Sequence, residues 1–308
     1  MNRFTLDDVR GVIPAIMTPF TKEGALDRAA VREMVDLQIS LGAGGFYLTG
    51  TGGQGPYMEA KQRMEVVEAF AEATDGRVPL IPHIAFVSPA ISAEMAKHAA
   101  SVGCTAVSGV PSYYYQLSRA EMYAYYEELA GATDLPFLVY ALNGKITPTV
   151  ELFQKLAEIP NVKGLKFTGA DHYMMGRIKE HLGPDFKVYS GKDEQFLSAI
   201  LCNVDGLIGG TYNVFPDLYI RAVDELKRGD FATAQKDMLA ANAILEVMLK
   251  YGSAEAKRAC LGFMGINAGY NPRPVHTLDA DEAAALKRDL IALRDRLEIE
   301  PIALFRAI

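Results

Sequence analysis

The sequence predicts an α/β fold, a (β/α)8 TIM barrel followed by a C-terminal helical extension. Three observations carry this expectation. Eight short apolar runs alternate with eight longer segments at helical period; such alternation reads as βαβ units on a parallel sheet, and eight units close a barrel. Beyond residue 229 no strand-like run follows, only helical segments. The length of 308 residues, 50% apolar and 22% charged, suits one large barrel with an appendage rather than a disordered or fibrous chain.

The expected strands are 12–18, 45–49, 78–84, 106–110, 136–140, 162–167, 186–190 and 205–209, each rich in Val, Ile, Leu, Phe or Tyr. The helices between and after them are 27–41, 59–74, 89–102, 118–133, 149–159, 171–182, 193–203 and 216–229. Residues 1–230 are expected to form the barrel and 231–308 the extension. In the extension, 230–251, 254–264 and 279–297 read as helices, and the Gly/Asn/Pro segment 265–274 separates the last two.

Charge and cysteine content narrow the function. A formal net charge of −7 leaves no broad basic surface for phosphate backbones, so no nucleic-acid partner is expected. No apolar stretch approaches the roughly 18 residues of a membrane helix, so no membrane partner is expected either. Cys104, Cys202 and Cys260 lie far apart with no Cys-x-x-Cys pair, which points to a reducing, cytoplasmic setting. His83, His98, His172, His181 and His276 show no metal-ligand spacing, so no metal is expected. His83, inside the third strand, reads as a hydrogen-bonded core histidine.

In a barrel, chemistry sits at the C-terminal ends of the strands. After strand two, residues 50–55 read GTGGQG, matching a dinucleotide-binding spacing but followed by Pro56 and Tyr57 rather than an opening helix. The alternatives are a loop whose N–H groups and Thr51 hydroxyl hold a small anion such as a carboxylate, and a flexible turn. In strand six, period-two alternation puts Val162, Gly164 and Lys166 on one face and Leu165 and Phe167 on the other. Lys166 then points into the barrel, where desolvation favours the neutral amine and attack on a carbonyl; the alternative is a strand-end lysine that snorkels to water. Tyr140 ends the neighbouring strand, either as core or as a phenol that relays protons to that amine. Tyr113, Tyr114 and Tyr115, after strand four, line the mouth or cross a subunit interface.

With these residues in place the sequence resembles the dihydrodipicolinate synthase and N-acetylneuraminate lyase superfamily, class I aldolases that use pyruvate. The resemblance runs from 11–20 (GVIPAIMTPF) to the C-terminal helices. Its most specific stretches, 164–168 (GLKFT) with Asp171, 191–195 (GKDEQ) and 209–213 (GGTYN), look like the lyase branch. The resemblance implies Lys166 as the Schiff-base lysine, with no separate cofactor, and Tyr140 as the proton relay. It implies Thr51, with Gly52 beside it, in the pyruvate-carboxylate loop. Thr168, Gly191, Asp193, Glu194 and the position of Gly210 match contacts to the substrate chain. Tyr114 matches a tyrosine donated to a neighbouring subunit, within a homotetramer.

Three departures qualify the match. The loop in the family usually reads Gly-Ser/Thr-Thr-Gly-Glu, whereas Gly52 replaces the second hydroxyl here and Gln54 the glutamate. A serine common in sialate lyases is Gly210, and Lys192 adds a positive charge beside Asp193. The expected activity is cleavage of a 2-keto-3-deoxy acid, N-acetylneuraminate being one candidate, to pyruvate and an aldehyde. The alternatives are 4-hydroxy-tetrahydrodipicolinate synthesis, another keto sugar acid aldolase or dehydratase, a nicotinamide oxidoreductase and a non-catalytic keto acid sensor. The loop also carries two expectations for substitution: Thr51→Val weakens pyruvate binding, and Gly52→Thr is tolerated.

Overall fold

The computed structural model describes residues 3–142 and 144–308. Eight strands run parallel: β1 Gly11–Pro14, β2 Phe46–Leu48, β3 Leu80–Pro82, β4 Val107–Gly109, β5 Phe137–Leu142, β6 Val162–Thr168, β7 Lys187–Ser190 and β8 Gly206–Gly209. Continuous ladders link them in the order β1-β8-β7-β6-β5-β4, and separately β2-β3. Two isolated parallel bridges, Ala15 to Tyr47 and His83 to Ser108, join the sets. The ring therefore closes, as the alternation of strand and helix requires.

Eight helices follow the strands: α1 Arg28–Ser40, α2 Ala60–Thr74, α3 Pro89–Ser101, α4 Arg119–Ala130, α5 Val150–Leu156, α6 His172–Leu182, α7 Phe196–Leu201 and α8 Pro216–Lys227. Local chemistry sets several starts. Asp27 accepts hydrogen bonds from the N–H groups of Ala29 and Ala30, Ser118 and Glu121 form a capping box, and Asp171 accepts from Met174. The extension holds α9 Phe231–Leu249, α10 Ser253–Phe263, α11 Ala280–Arg294 and α12 Ala303–Ala307. It shares one apolar cluster with α7 and α8, centred on Phe196, Tyr212, Phe215 and Tyr219.

Some elements differ from the expectation. Helix seven, expected from 193, begins as a 3-10 turn over Asp193–Gln195 and becomes α-helical only at Phe196, because Asp193 folds back to accept from Thr211. The short α12 has no counterpart in the sequence reading. Strand five runs two residues past Tyr140, with Ala141 and Leu142 paired to Phe167 and Thr168. Val162 does not share the inner face with Lys166. A register irregularity between β5 and β6 at Phe137/Leu138 resets the alternation, and Val162 packs with Leu165 and Phe167 in the helix-facing cluster.

The barrel interior is a separate core of Ile13, Ala15, Tyr47, Ile81, Leu138, Tyr140, Tyr189 and Ile208, closed at the bottom by Leu6 and Val9. Gly164 admits Leu138: a Cβ there would lie 2.6 Å from the leucine Cδ2. The space beneath Lys166 is filled, so the lysine cannot sink. Among the described residues no helix is long and apolar enough to cross a membrane.

Candidate active site

Lys166 projects from β6 into the barrel, 3% exposed, with Tyr140 of β5 and Tyr189 of β7 as its register partners. Its Nζ lies 3.9 Å from the ring centroid of Tyr47 and 4.0 Å from that of Tyr140. Two aromatic faces hold the nitrogen at the upper end of the interior core, which removes the solvent-snorkelling alternative. Burial pulls the Lys166 pKa below the usual lysine range, while the Tyr140 and Asp193 charges and a hydrogen bond to Tyr140 restrain the fall. Burial alone would raise the Tyr140 phenol; the lysine charge and hydrogen bonds with Thr168, Thr51 and Lys166 outweigh it and bring the pKa down. Amine and phenol are thus poised to exchange a proton. The Thr168 hydroxyl donates to the Tyr140 oxygen over 3.3 Å.

Tyr47 was not singled out in the sequence, although Phe46 and Leu48 flank it with outward side chains, so the same alternation places it inward. Its hydroxyl donates to Ser108 at 3.0 Å, and Ser108 to the Leu138 carbonyl at 2.9 Å. His83 is buried as expected and accepts from the Val110 N–H at 3.2 Å. Its ring packs edge-on against Tyr140 at 6.0 Å.

The GTGGQG segment is neither a helix-opening dinucleotide loop nor a flexible turn. It ends in a 3-10 turn, Gly55–Tyr57, and α2 starts only after Glu59. Close packing dictates the glycines. A Cβ at Gly50 would lie 2.5 Å from the Tyr47 ring, one at Gly52 2.6 Å from the Ala15 carbonyl oxygen, and one at Gly55 1.8 Å from that of Thr49. The expectation that Gly52→Thr is tolerated is therefore corrected, since the added side chain meets backbone that cannot move aside. Among the described residues the N–H groups of Thr51 and Gly52 find no acceptor, and both residues line the cavity above Lys166.

That cavity measures about 480 Å³ and also touches Tyr140, Thr168, Gly191, Asp193, Glu194 and Gly210. Gly191 lies close against its neighbours, a Cβ there falling 2.2 Å from Thr168 Oγ1 and 3.4 Å from Lys166 Cε. Asp193 is 8% exposed; its Oδ2 accepts from the Thr211 N–H at 2.8 Å and hydroxyl at 2.7 Å. Burial raises its pKa, and Thr211 and Lys257 oppose the rise. Glu194 pairs with Lys192 at 3.1 Å.

Gln54 also lines the cavity, but its side-chain amide is committed elsewhere. It bonds Arg258 at 2.6 Å and Asn271 at 3.0 Å, tying the loop to α10 and the segment after it. Tyr114 is the site candidate that does not join the cavity; it is 81% exposed and packs edge-on against Tyr115 at 5.1 Å. Lys257, which does line the cavity, was missed. Its signal was present: in α10 it falls four residues before Leu261, on the buried face with Ala256 and Cys260.

A mouth of this kind, with a desolvated lysine and a coupled tyrosine beneath hydroxyl and carboxylate groups, defines a barrel enzyme acting on small molecules. The model of the Dihydrodipicolinate synthetase family matches residues 8–293, and the chain belongs to that family. It is 33% identical over 280 residues to N-acetylneuraminate lyase of Rhizobium meliloti, covering 91% of this chain and 93% of that protein. Against N-acetylneuraminate lyase of Shigella boydii the identity is 37% over 264 residues, covering 84% and 88%. The crystal structure of N-acetylneuraminate lyase from Mycoplasma synoviae superposes with a TM-score of 0.88 at 29% identity, covering 94% of this chain and 99% of that one. The chain is a carbon–carbon lyase, a class I aldolase that releases pyruvate.

Proposed function

We propose that the chain cleaves a 2-keto-3-deoxy sugar acid through a Schiff base on Lys166. The unprotonated amine attacks the C2 carbonyl, and loss of water from the carbinolamine gives a protonated imine. Tyr140, left as a phenolate after giving its proton to the departing water, takes the proton of the C4 hydroxyl; the C3–C4 bond breaks, its electrons pass into the imine, and the aldehyde leaves. The resulting enamine takes a proton at C3, and water releases pyruvate and restores the amine. The imine is itself the electron sink, so the reading calls for no metal or separate cofactor.

The observation that carries this reading is the buried Lys166 nitrogen held between the Tyr47 and Tyr140 rings. Thr51 and the free N–H groups of the glycine loop are assigned the pyruvate carboxylate. Thr168, Gly191, Asp193, Glu194 and the wall at Gly210 are assigned the aldehyde chain. The exposed Tyr114 is read as a contact to a second copy within a homotetramer, which sedimentation analysis tests, and the cytoplasm is the proposed location.

Borohydride reduction in the presence of pyruvate tests the centre of the proposal. The expected result is a mass increase on Lys166 equal to one reduced pyruvate adduct, absent in Lys166→Ala. No adduct on the wild-type chain, or one on a different lysine, overturns it.

A further inference from the structure

Lys257 reaches the cavity from α10, in the extension, and is 7% exposed. Its Nζ lies 3.0 Å from where a Cβ on Gly210 would sit, so the glycine after β8 is what gives the ammonium its place. Among the described residues this ammonium makes no hydrogen bond and no ion pair. Nearby, Asp193 is committed: Oδ2 accepts from Thr211, and the buried Tyr212 hydroxyl faces the same carboxyl. One wall of the cavity thus presents the three unused N–H donors of Lys257. An ammonium so little exposed is costly to leave without a counter-charge in contact. Lys192 and Glu194 already neutralise each other at 3.1 Å, so the Lys257 charge has no such contact partner.

We propose that the aldehyde half of the substrate carries a carboxylate, which accepts from Lys257. A neutral polyol offers the ammonium only hydroxyl oxygens. A phosphate brings a second negative charge against Asp193 and Glu194. A carboxylate meets the ammonium with one charge for one charge. The keto acid that is cleaved is then a dicarboxylate. The inference rests on the lyase reading above and adds Lys257 as the residue that sets specificity at the remote end.

The test runs the condensation with pyruvate and matched acceptors: glyceraldehyde against tartronate semialdehyde, and glucose against glucuronate. The expected kcat/KM for the acid exceeds that for its neutral partner by tenfold or more in at least one pair. Lys257→Met is expected to collapse that ratio toward one, and Gly210→Ser, whose side chain takes the space of the ammonium, to lower it as well. Circular dichroism checks the fold of each variant, and Gly210→Ser stands in if Lys257→Met does not fold. A wild-type enzyme that prefers the neutral acceptors, or a ratio unmoved in a folded variant, overturns the inference. Pyruvate trapping on the wild-type Lys166 is read separately. If the adduct forms while the acid preference is absent, only this inference falls; if no adduct forms, the lyase reading falls with it.

Discussion

Around Lys166 the side chains hang from strands: Tyr47 from β2, Tyr140 from β5, Lys166 and Thr168 from β6. At the remote end, Asp193 and Glu194 sit on a 3-10 turn, Gly210 on the loop after β8, and Lys257 on a helix of the extension. The first group has its positions fixed by ladder register and by a filled interior beneath it. The second depends on loop length and on how α10 packs. The contrast teaches a division of labour: covalent chemistry needs an amine placed to within a fraction of an ångström, which strands supply, whereas substrate choice is adjusted on loops without disturbing the barrel.

Tyr140→Phe probes the strand-borne half and carries the largest expected effect. Loss of a positioned acid–base group costs about 10²–10⁴-fold in kcat. The sign of the pH effect separates this role from packing. Because Tyr140 raises the Lys166 pKa against the fall caused by burial, its removal is expected to move the rising limb of imine trapping to lower pH even as turnover drops. A limb that stays in place, or moves upward, breaks the coupling on which the comparison rests.

The two halves also differ in how legible they are in the sequence. Alternation in β6 was enough to aim Lys166 inward, and neighbouring strand ends put Tyr140 beside it, because a period of two is a rigid rule. The rule failed at Val162, where an irregular register shifted the count. Eight βα units were readable as a barrel for the same reason: periodicity is local. For Lys257 helical spacing gives the buried face of α10 but not its place in the site. It approaches Gly210 from far along the chain, beyond both α8 and α9, and no local pattern encodes that meeting. Gln54 could be read only as standing in for the family's glutamate, because its partner, Arg258, is equally remote.

Thr51→Val tests whether the glycine loop belongs with the chemistry. The carboxylate is assigned to the Thr51 hydroxyl and to backbone N–H groups, and a charge-assisted hydrogen bond contributes about 1.5–3 kcal/mol. Pyruvate affinity, read from the concentration dependence of trapping, is expected to fall about tenfold or more. Unchanged trapping places the carboxylate elsewhere.

Gly52→Thr sharpens the same boundary through stability. Its Cβ would meet the Ala15 carbonyl oxygen at 2.6 Å, so the loop must shift away from the end of β1. Overpacking of this sort costs about 1–3 kcal/mol, to be read as a lower denaturation midpoint together with weaker pyruvate trapping. A variant as stable as the parent shows that the loop yields more readily than the strands it rests on.

The smallest effect is expected where the two halves are joined. Gln54 Oε1 accepts from Arg258 at 2.6 Å and its Nε2 donates to Asn271 Oδ1 at 3.0 Å, while Arg258 Nε donates to that same oxygen at 2.6 Å. Asn271 Nδ2 is committed to the His276 carbonyl at 2.6 Å, so the amide cannot turn over without losing that bond. Gln54→Glu therefore adds a carboxylate to the buried Arg258 guanidinium but sets an oxygen against Asn271 Oδ1. A buried ion pair roughly balances its own desolvation, and the net change in stability near neutral pH is expected to stay within about 1 kcal/mol. What changes is the pH dependence. The guanidinium is expected to hold the introduced carboxyl below its unfolded pKa of about 4.3. The added stability is then present above that value and is lost as the pH falls through the lower, folded one. Melting curves of parent and variant from neutral to acid pH read this directly, and the variant is expected to lose more on acidification. If the two curves run parallel, Gln54 and Arg258 do not form the electrostatic joint between the loop and the extension, and the two halves of the site are held together elsewhere.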